Sequence, residues 1–168
     1  SRAEAEKAVS ISDADVKKYY QEHSDNYRVE ERVAVSQILL KFDSKTPGSL
    51  DKAKKKAEDL GKQILAGASF EELAKKNSED TATASKGGDM GYIVKGQTVA
   101  GFELMAFGLA PGAVSAPVQT DLGLHLIKVR DHQKAHIKPI EEARPEIEVA
   151  LRTEKAQSDL AAKAEAAA

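Results

Sequence analysis

Few residues of this chain are equipped for chemistry. His125 lies in Gly123-Leu124-His125-Leu126-Ile127-Lys128-Val129, a single imidazole in an otherwise aliphatic strand pattern. An imidazole can titrate near neutral pH, or donate and accept hydrogen bonds. Taken alone, it reads first as a satisfied, half-buried strand histidine. Lys86-Gly87-Gly88-Asp89-Met90-Gly91 is a glycine-dense turn running into a short apolar strand, Met90 to Val94. It is not a phosphate loop, because it leads into a strand and no Gly-Lys-Ser/Thr opens a helix there. Asp80 sits in the polar stretch Asn77 to Ser85, where a carboxylate can cap its own backbone as readily as it can serve a site. His132 and His136 have a helical i, i+4 spacing that suits a metal, but no acidic or cysteine partner completes a set and Pro139 follows. A mobile polar linker is the better reading. The chain has no cysteine, which excludes disulfides, thiolate catalysis and cysteine-rich zinc sites.

A length of 168 residues suits one compact domain with extensions. The formal net charge of −2 offers no general attraction to nucleic acid or to an anionic membrane. No apolar run is long enough to span a bilayer, and no signal-peptide pattern is present. The chain begins inside helix-like sequence, so it reads as a piece of a longer protein.

The elements that must position these residues follow from periodicity. Ser1 to Ser10 is polar and alanine-rich, like the end of a truncated helix. Ser12-Asp13-Ala14-Asp15 is an N-cap with a returning acid; it opens a helix that buries Val16 and Tyr19 or Tyr20 and stops near His23. Arg32 to Phe42 is the first strand, with Val33, Val35, Gln37 and Leu39 on one face and Ala34, Ser36, Ile38 and Leu40 on the other. Ser44 to Ser49 is a loop. Leu50 to Gly67 is a helix with Ala53, Ala57, Leu60, Ile64 and Leu65 on its apolar stripe. Ser69-Phe70-Glu71-Glu72 is a capping box opening a short helix. Ala100 to Gly108 is another helix, burying Phe102, Met105 or Ala106, and Phe107. Gly112 to Thr120 holds a turn and a short strand. Leu124 to Arg130 is the last strand, with His125, Ile127 and Val129 facing one way. Pro139 and Pro145 flank the start of a C-terminal helix whose stripe is Ile140, Ile147 and Leu151, fading to alanine beyond. This order, with short connections, argues an α+β domain around a small sheet.

Over Arg32 to Arg130 the order and spacing of these motifs resemble the parvulin-type peptidyl-prolyl cis-trans isomerases. Gln37-Ile38-Leu39 stands where that family carries His-Ile-Leu. Ser78-Glu79-Asp80 matches its serine-x-acid loop, and Gly87-Gly88-Asp89-Met90-Gly91 its Gly-Gly-Asp-Leu-Gly. Gly96-Gln97, Phe102 and Phe107 keep its order, and Pro117-Val118, Thr120, Gly123 and His125-Leu126-Ile127 resemble its final strand pair. The helix Ser-Asp-Ala-Asp-Val-x-x-Tyr-Tyr before the domain looks like the extracytoplasmic foldases of the SurA, PpiD and PrsA type.

The resemblance implies a parvulin-like domain at 31–132, with a mostly antiparallel sheet of about four strands and short helices around it. A helical chaperone-type segment at 1–30 and a linker with a C-terminal helix at 133–168 would flank it. It implies isomerisation of X-Pro bonds in unfolded or secreted polypeptides, in the periplasm or cell envelope, with no cofactor, metal or nucleic acid, and self-association through the flanking helices. The barrier to X-Pro rotation is roughly 18–20 kcal/mol, and a catalyst need only bind the twisted amide better than the planar isomers. By resemblance the polar wall maps to His125, Gln37, Asp80 or Thr81, and Thr120. The proline pocket maps to Met90, Thr98 and Phe102, with Leu122 among the substrate contacts. Thr98 stands where the family often has methionine, which makes that pocket more polar. Phe102 by itself is as readily core as pocket. Gln37 cannot change protonation near neutral pH, which leaves a second reading open: a weak or inactive parvulin-like module that binds peptide as a chaperone. The loop Ser44 to Ser49 has only Lys45 and no arginine pair, so phosphate-dependent recognition has no support; Lys52, Lys54, Lys55 and Lys56 read as a solvated face. The flanking stripes are expected to meet each other or those of a second copy, with the tail fraying beyond about Glu154.

Overall fold

The computed structural model describes residues 10–167; the expectation for Ser1 to Ser10 lies almost wholly outside them. The described chain divides into two compact units, one of Glu30–Lys134 and one made of the flanks, through Val29 and from Ala135.

In the first unit the buried centre is β2, Arg32–Leu40, of which only Arg32 escapes full burial. (The two-residue strand Arg28–Val29, β1, belongs to the flanks.) Such a strand needs a partner on both sides, and its run of Val, Ile and Leu supplies apolar surface to both faces. It pairs antiparallel with β3, Asp89–Val94, and with β5, Gly123–Gln133, and β4, Val118–Thr120, closes the far edge, giving the order β3-β2-β5-β4. The register sets Leu39 opposite His125 and Gln37 opposite Ile127.

The two faces of the sheet build two cores. Ile38, Leu40, Leu124 and Leu126 pack under α2, Ser49–Leu65, and α3, Phe70–Asn77, through Ala53, Ala57, Leu60, Phe70, Leu73 and Ala74. Val33, Val35, Ile127 and Val129 pack under α4, Ala100–Gly108, through Phe102 and Ala106. The alternation expected along both strands is therefore kept, although β2 carries bulges between Val35 and Ser36 and between Ala34 and Val35. Each such aliphatic or aromatic side chain contributes about 1.5–3 kcal/mol relative to exposure.

In the flanking unit, α1, Asp13–Glu22, starts on a complete capping box: Asp15 N donates to Ser12 Oγ at 3.1 Å and Ser12 N to Asp15 Oδ2 at 3.3 Å. It packs on α5, Ile140–Ala167. Val16, Tyr27, Ala143, Ile147 and Leu151 form their shared core, with Tyr19, Tyr20 and Ile140 against it. The two flanking stripes thus meet each other within this chain. Lys155 Nζ ties the pair at 2.7 Å from Asp15 Oδ2, and β1 pairs with β6, His136–Ile137.

Several expectations are corrected. The first strand ends at Leu40, two residues short of Phe42. Leu65 is not on the buried stripe: it is 90 % exposed at the end of α2. Phe107 is only partly buried, while of Met105 and Ala106 it is Ala106 that is buried. Ser69 caps α3 by accepting from Glu72 N at 3.2 Å, but the Glu72 carboxylate turns to Lys75 rather than back to the cap. Pro145 lies inside α5 rather than at its edge. The carbonyl it deprives of a partner is four residues back, at Glu141, an exposed position where water can serve it. The helix continues to Ala167, and Ala156 is fully buried, so the packed stripe passes Glu154. The last sheet strand runs on to Gln133, and with β6 it replaces the mobile linker expected around His132 and His136.

Candidate active site

The β2–β5 register places Gln37 and His125 as diagonal neighbours on the α4 face of the sheet. His125 is 1 % exposed and Gln37 7 %; buried polar groups of this kind must find partners. Gln37 Oε1 lies 2.8 Å from His125 Nδ1, and Gln37 Nε2 donates to Asp80 Oδ2 at 3.0 Å. On the other side of the ring, Thr120 Oγ1 is 2.6 Å from His125 Nε2 and accepts from Leu122 N at 3.1 Å. An unbroken polar chain therefore runs Asp80–Gln37–His125–Thr120. The edge of the Phe102 ring meets the imidazole, with centroids 5.3 Å apart and planes at 73°.

Local folding explains each position. The segment after α3 is laid along β2, because Glu79 N donates to Leu39 O at 2.7 Å and Leu39 N to Ser78 Oγ at 3.1 Å. The next residue, Asp80, is thereby carried to Gln37. Its own turn closes through Ala84 N to Asp80 O at 2.9 Å, and Thr83 Oγ1 donates to Asp80 Oδ2 at 2.6 Å. The glycine-dense turn has a steric purpose at Gly88. Its φ is +82°, and a Cβ there would stand 2.2 Å from the Gln37 carbonyl oxygen. Only glycine lets this turn press on β2, where Gln37 N donates to Gly88 O at 2.9 Å. Burial pushes the His125 imidazole below its ordinary value of 6.5; the nearby Asp80 carboxylate exerts a smaller opposite pull.

Among the residues expected at the site, His125, Gln37, Asp80 and Thr120 come together. Phe102 is 2 % exposed and Met90 packs on the same cluster. The Thr98 hydroxyl is buried and makes no hydrogen bond among the described residues. Leu122 is 57 % exposed, and its backbone N–H donates to Thr120 Oγ1. Thr81 is exposed; the threonine that holds Asp80 is Thr83, which sequence reasoning missed. The signal was available, since Asp-x-x-Thr is the spacing of a side-chain-closed turn. His132 is bound to Glu31 Oε2 at 2.9 Å and set edge-on against Phe107. Among the described residues no group of His, Cys, Asp and Glu could hold a metal ion. A separate apolar cavity of about 400 Å³, lined by residues such as Gly61, Ile64, Ala116 and Pro117, contains none of the expected site residues.

A four-stranded antiparallel sheet whose central pair carries a buried polar chain, flanked by an aromatic helix, defines a parvulin-type domain. A family model described as a PPIC-type PPIase domain matches residues 16–133, and this chain belongs to that family. It is 37 % identical over 153 residues to the foldase protein PrsA of Caldanaerobacter subterraneus, covering 91 % of this chain and 44 % of that protein. It is 38 % identical over 152 residues to a parvulin-like PPIase of Rickettsia typhi, covering 87 % and 50 %. The chain thus spans about half the length of these curated relatives. Its fold matches one of two SurA-like chaperones of Campylobacter jejuni (the virulence factor PEB4 and the periplasmic protein Cj1289), with a TM-score of 0.58, 27 % identity and coverage of 98 % of this chain and 64 % of that one. It also matches the peptidylprolyl isomerase PrsA of Bacillus anthracis, with a TM-score of 0.55, 29 % identity and coverage of 96 % and 68 %.

Proposed function

We propose that this chain accelerates the cis–trans exchange of X-Pro bonds in unfolded or secreted polypeptides outside the cytoplasm, as the isomerase portion of a foldase. The observation that carries this reading is the polar chain from Asp80 to Thr120 set against the Phe102 ring. The reaction breaks no bond and transfers no net proton. Twisting costs the amide its resonance, so the site must favour a pyramidal, more basic nitrogen and a more ketone-like carbonyl. Met90 and Phe102 offer the pyrrolidine ring an apolar seat, and Asp80 and Thr120, both half-buried, offer polar contacts beside it. Both ring nitrogens of His125 are engaged, by Gln37 and by Thr120, so it acts as a support for Thr120. Each ~1.4 kcal/mol by which the site prefers the twisted amide gives about tenfold in rate. The PrsA and SurA-like relatives support the extracytoplasmic setting, and no helix among the described residues is long and apolar enough to cross a membrane. A proline-peptide isomerisation assay at low temperature tests the reading. Rates equal to the uncatalysed control, from a folded sample, overturn it.

Gln37 favours a second reading, a peptide-binding chaperone module with little catalysis. Gln37→His separates the two. A large gain in rate marks the native site as impaired, whereas an unchanged rate shows that glutamine serves as well.

A further inference from the structure

The edge of the sheet beyond β5 is closed by β4 only in part. Ahead of β4 the chain makes one bridge, Val114 opposite Lys128. It is framed by Val129 N donating to Ala113 O at 3.2 Å and Ser115 N donating to Ile127 O at 2.8 Å. Because the residues on either side of Val114 make these bonds, its own N–H and C=O point away from β5. Among the described residues neither meets a hydrogen-bond partner. Between this bridge and β4 the pairing slips by one residue. There Ser115 Oγ accepts from Ile127 N at 3.0 Å, and Pro117 has no N–H to give. Val114 is thus the open point of a short edge. The apolar cavity of about 400 Å³ lies beside it. Gly61 lines that cavity from the interior of α2. A Cβ there would meet nothing within 4 Å, so packing does not require glycine, which weakens a helix interior. Ile64 lines the cavity half-buried, and Leu65, also lining it, is 90 % exposed. The Val114 side chain lies on this same face, packed on the core beneath α2. Residues that bond across an antiparallel pair put their side chains on the same face. A residue bonded to Val114 would therefore seat its side chain in the cavity.

We propose, resting on the reading that this chain handles unfolded polypeptide, that the Val114 edge and the Gly61 cavity form a second client site. It takes one extended segment antiparallel to residues 113–115, with an aromatic or large aliphatic side chain between Gly61 and Ile64. The free main-chain pair and the apolar socket address the same residue of the occupant, which is the chemistry of an extended polypeptide. Glu58 and Lys62, one of each sign, also line the cavity and offer a polyanion no net attraction. The site lies on the sheet face opposite Phe102 and His125, but its edge continues through β4 to Thr120. A client held here keeps the rest of its chain beside the isomerase cleft and raises its local concentration there.

The probe is a proline-free heptapeptide of threonine and lysine with one central phenylalanine, titrated into ¹⁵N-labelled protein. Backbone resonances of Gly61, Leu65 and Val114 should shift, and those of Phe102 and His125 should not. Methylating the phenylalanine nitrogen removes the donor to Val114 O and should weaken binding roughly three- to tenfold, the scale of one hydrogen bond. Methylating the next nitrogen, which points away from the edge, should leave affinity nearly unchanged. Gly61→Leu fills the socket and should weaken binding at least about tenfold, the scale of one buried apolar side chain. No shift at Gly61 and Val114 with millimolar peptide overturns the proposal, and so do shifts confined to Phe102 and His125. Equal affinities of the two methylated peptides, or of native and folded Gly61→Leu protein, overturn it as well. Should Gly61→Leu fail to fold, the methylated pair decides on the native protein. Shifts at these residues that follow protein concentration without peptide assign the edge to a second copy and overturn the client reading of it. Because the peptide holds no proline, binding here without X-Pro acceleration defeats the isomerase reading alone, and acceleration without binding here defeats this proposal alone.

Discussion

Phe102 serves two demands at once. Its ring closes the core formed with Val33, Val35, Ile127 and Val129, and its edge touches His125. At 2 % exposed, it cannot be a pocket wall and nothing more. Phe102→Ala should cost about 3–5 kcal/mol of stability along with activity, whereas Phe102→Leu should cost less than about 1.5 kcal/mol and still remove the ring edge. Urea unfolding of both variants checks this, and a loss under about 1 kcal/mol for Phe102→Ala would show that the ring is not core. His125 makes stability depend on pH in a stated direction. Its folded-state pKa lies below the ordinary 6.5, so below that pH the unfolded chain takes up a proton that the folded one refuses. Stability is then fully present above about pH 6.5 and falls as the pH drops toward the folded pKa. Comparison with His125→Gln cancels the carboxylate titrations. The native protein should lose ground to the variant between neutral and mildly acidic pH, and a constant gap would show that His125 titrates alike in both states.

At the scale of elements, the glycine-dense turn separates two reasons for glycine. Gly88 and Gly91 both have positive φ, at +82° and +69°, but a Cβ at Gly88 would meet the Gln37 backbone while one at Gly91 would meet nothing within 4 Å. Gly91→Ala should therefore cost only the backbone term, about 1–2 kcal/mol. Gly88→Ala must also push β3 away from β2 at Gln37, and should cost at least about 2 kcal/mol more, disturbing His125 besides. Denaturation midpoints and the His125 ring resonances measure the two effects; equal losses would mean that the turn has room to shift. The helix caps follow the same logic of local chemistry. Ser12 and Asp15 complete their box, while Glu72 finds Lys75 nearer than the cap of its own helix.

At the scale of the whole molecule, each unit keeps its own core. Ile147 is fully buried in a cluster drawn entirely from the flanks. Ile147→Ala should cost about 2–4 kcal/mol and show first as faster hydrogen exchange along α1 and α5. Unchanged protection of α1 would mean that the pairing of Val16 with Ile147 does not hold that helix. The order of the flanks rests chiefly on their apolar core, with Lys155–Asp15 and Arg144–Asp13 as surface pairs between the two helices.

Read alone, the sequence pointed to the family by resemblance and left open whether the flanking stripes meet each other or those of a second copy; it determined the α+β plan and the two faces of β2 and β5. These follow from short-range rules: alternation with a period of two, helical stripes, caps and glycine turns. It also placed Gln37 and His125 on one face each, because a strand's side chains alternate whatever its partners. It did not choose between Thr81 and Thr83 as the partner of Asp80, nor did it show that Leu65 is bare or that β5 runs through His132. Those outcomes depend on which backbone groups meet across the sheet: Ser78 and Glu79 bonding to β2, and the antiparallel register that sets Leu39 beside His125. Only the tertiary structure decided which groups meet in the chain from Thr83 to Thr120, because Asp80, Gln37, His125 and Thr120 come from separate segments that only the sheet and the turn after α3 bring together.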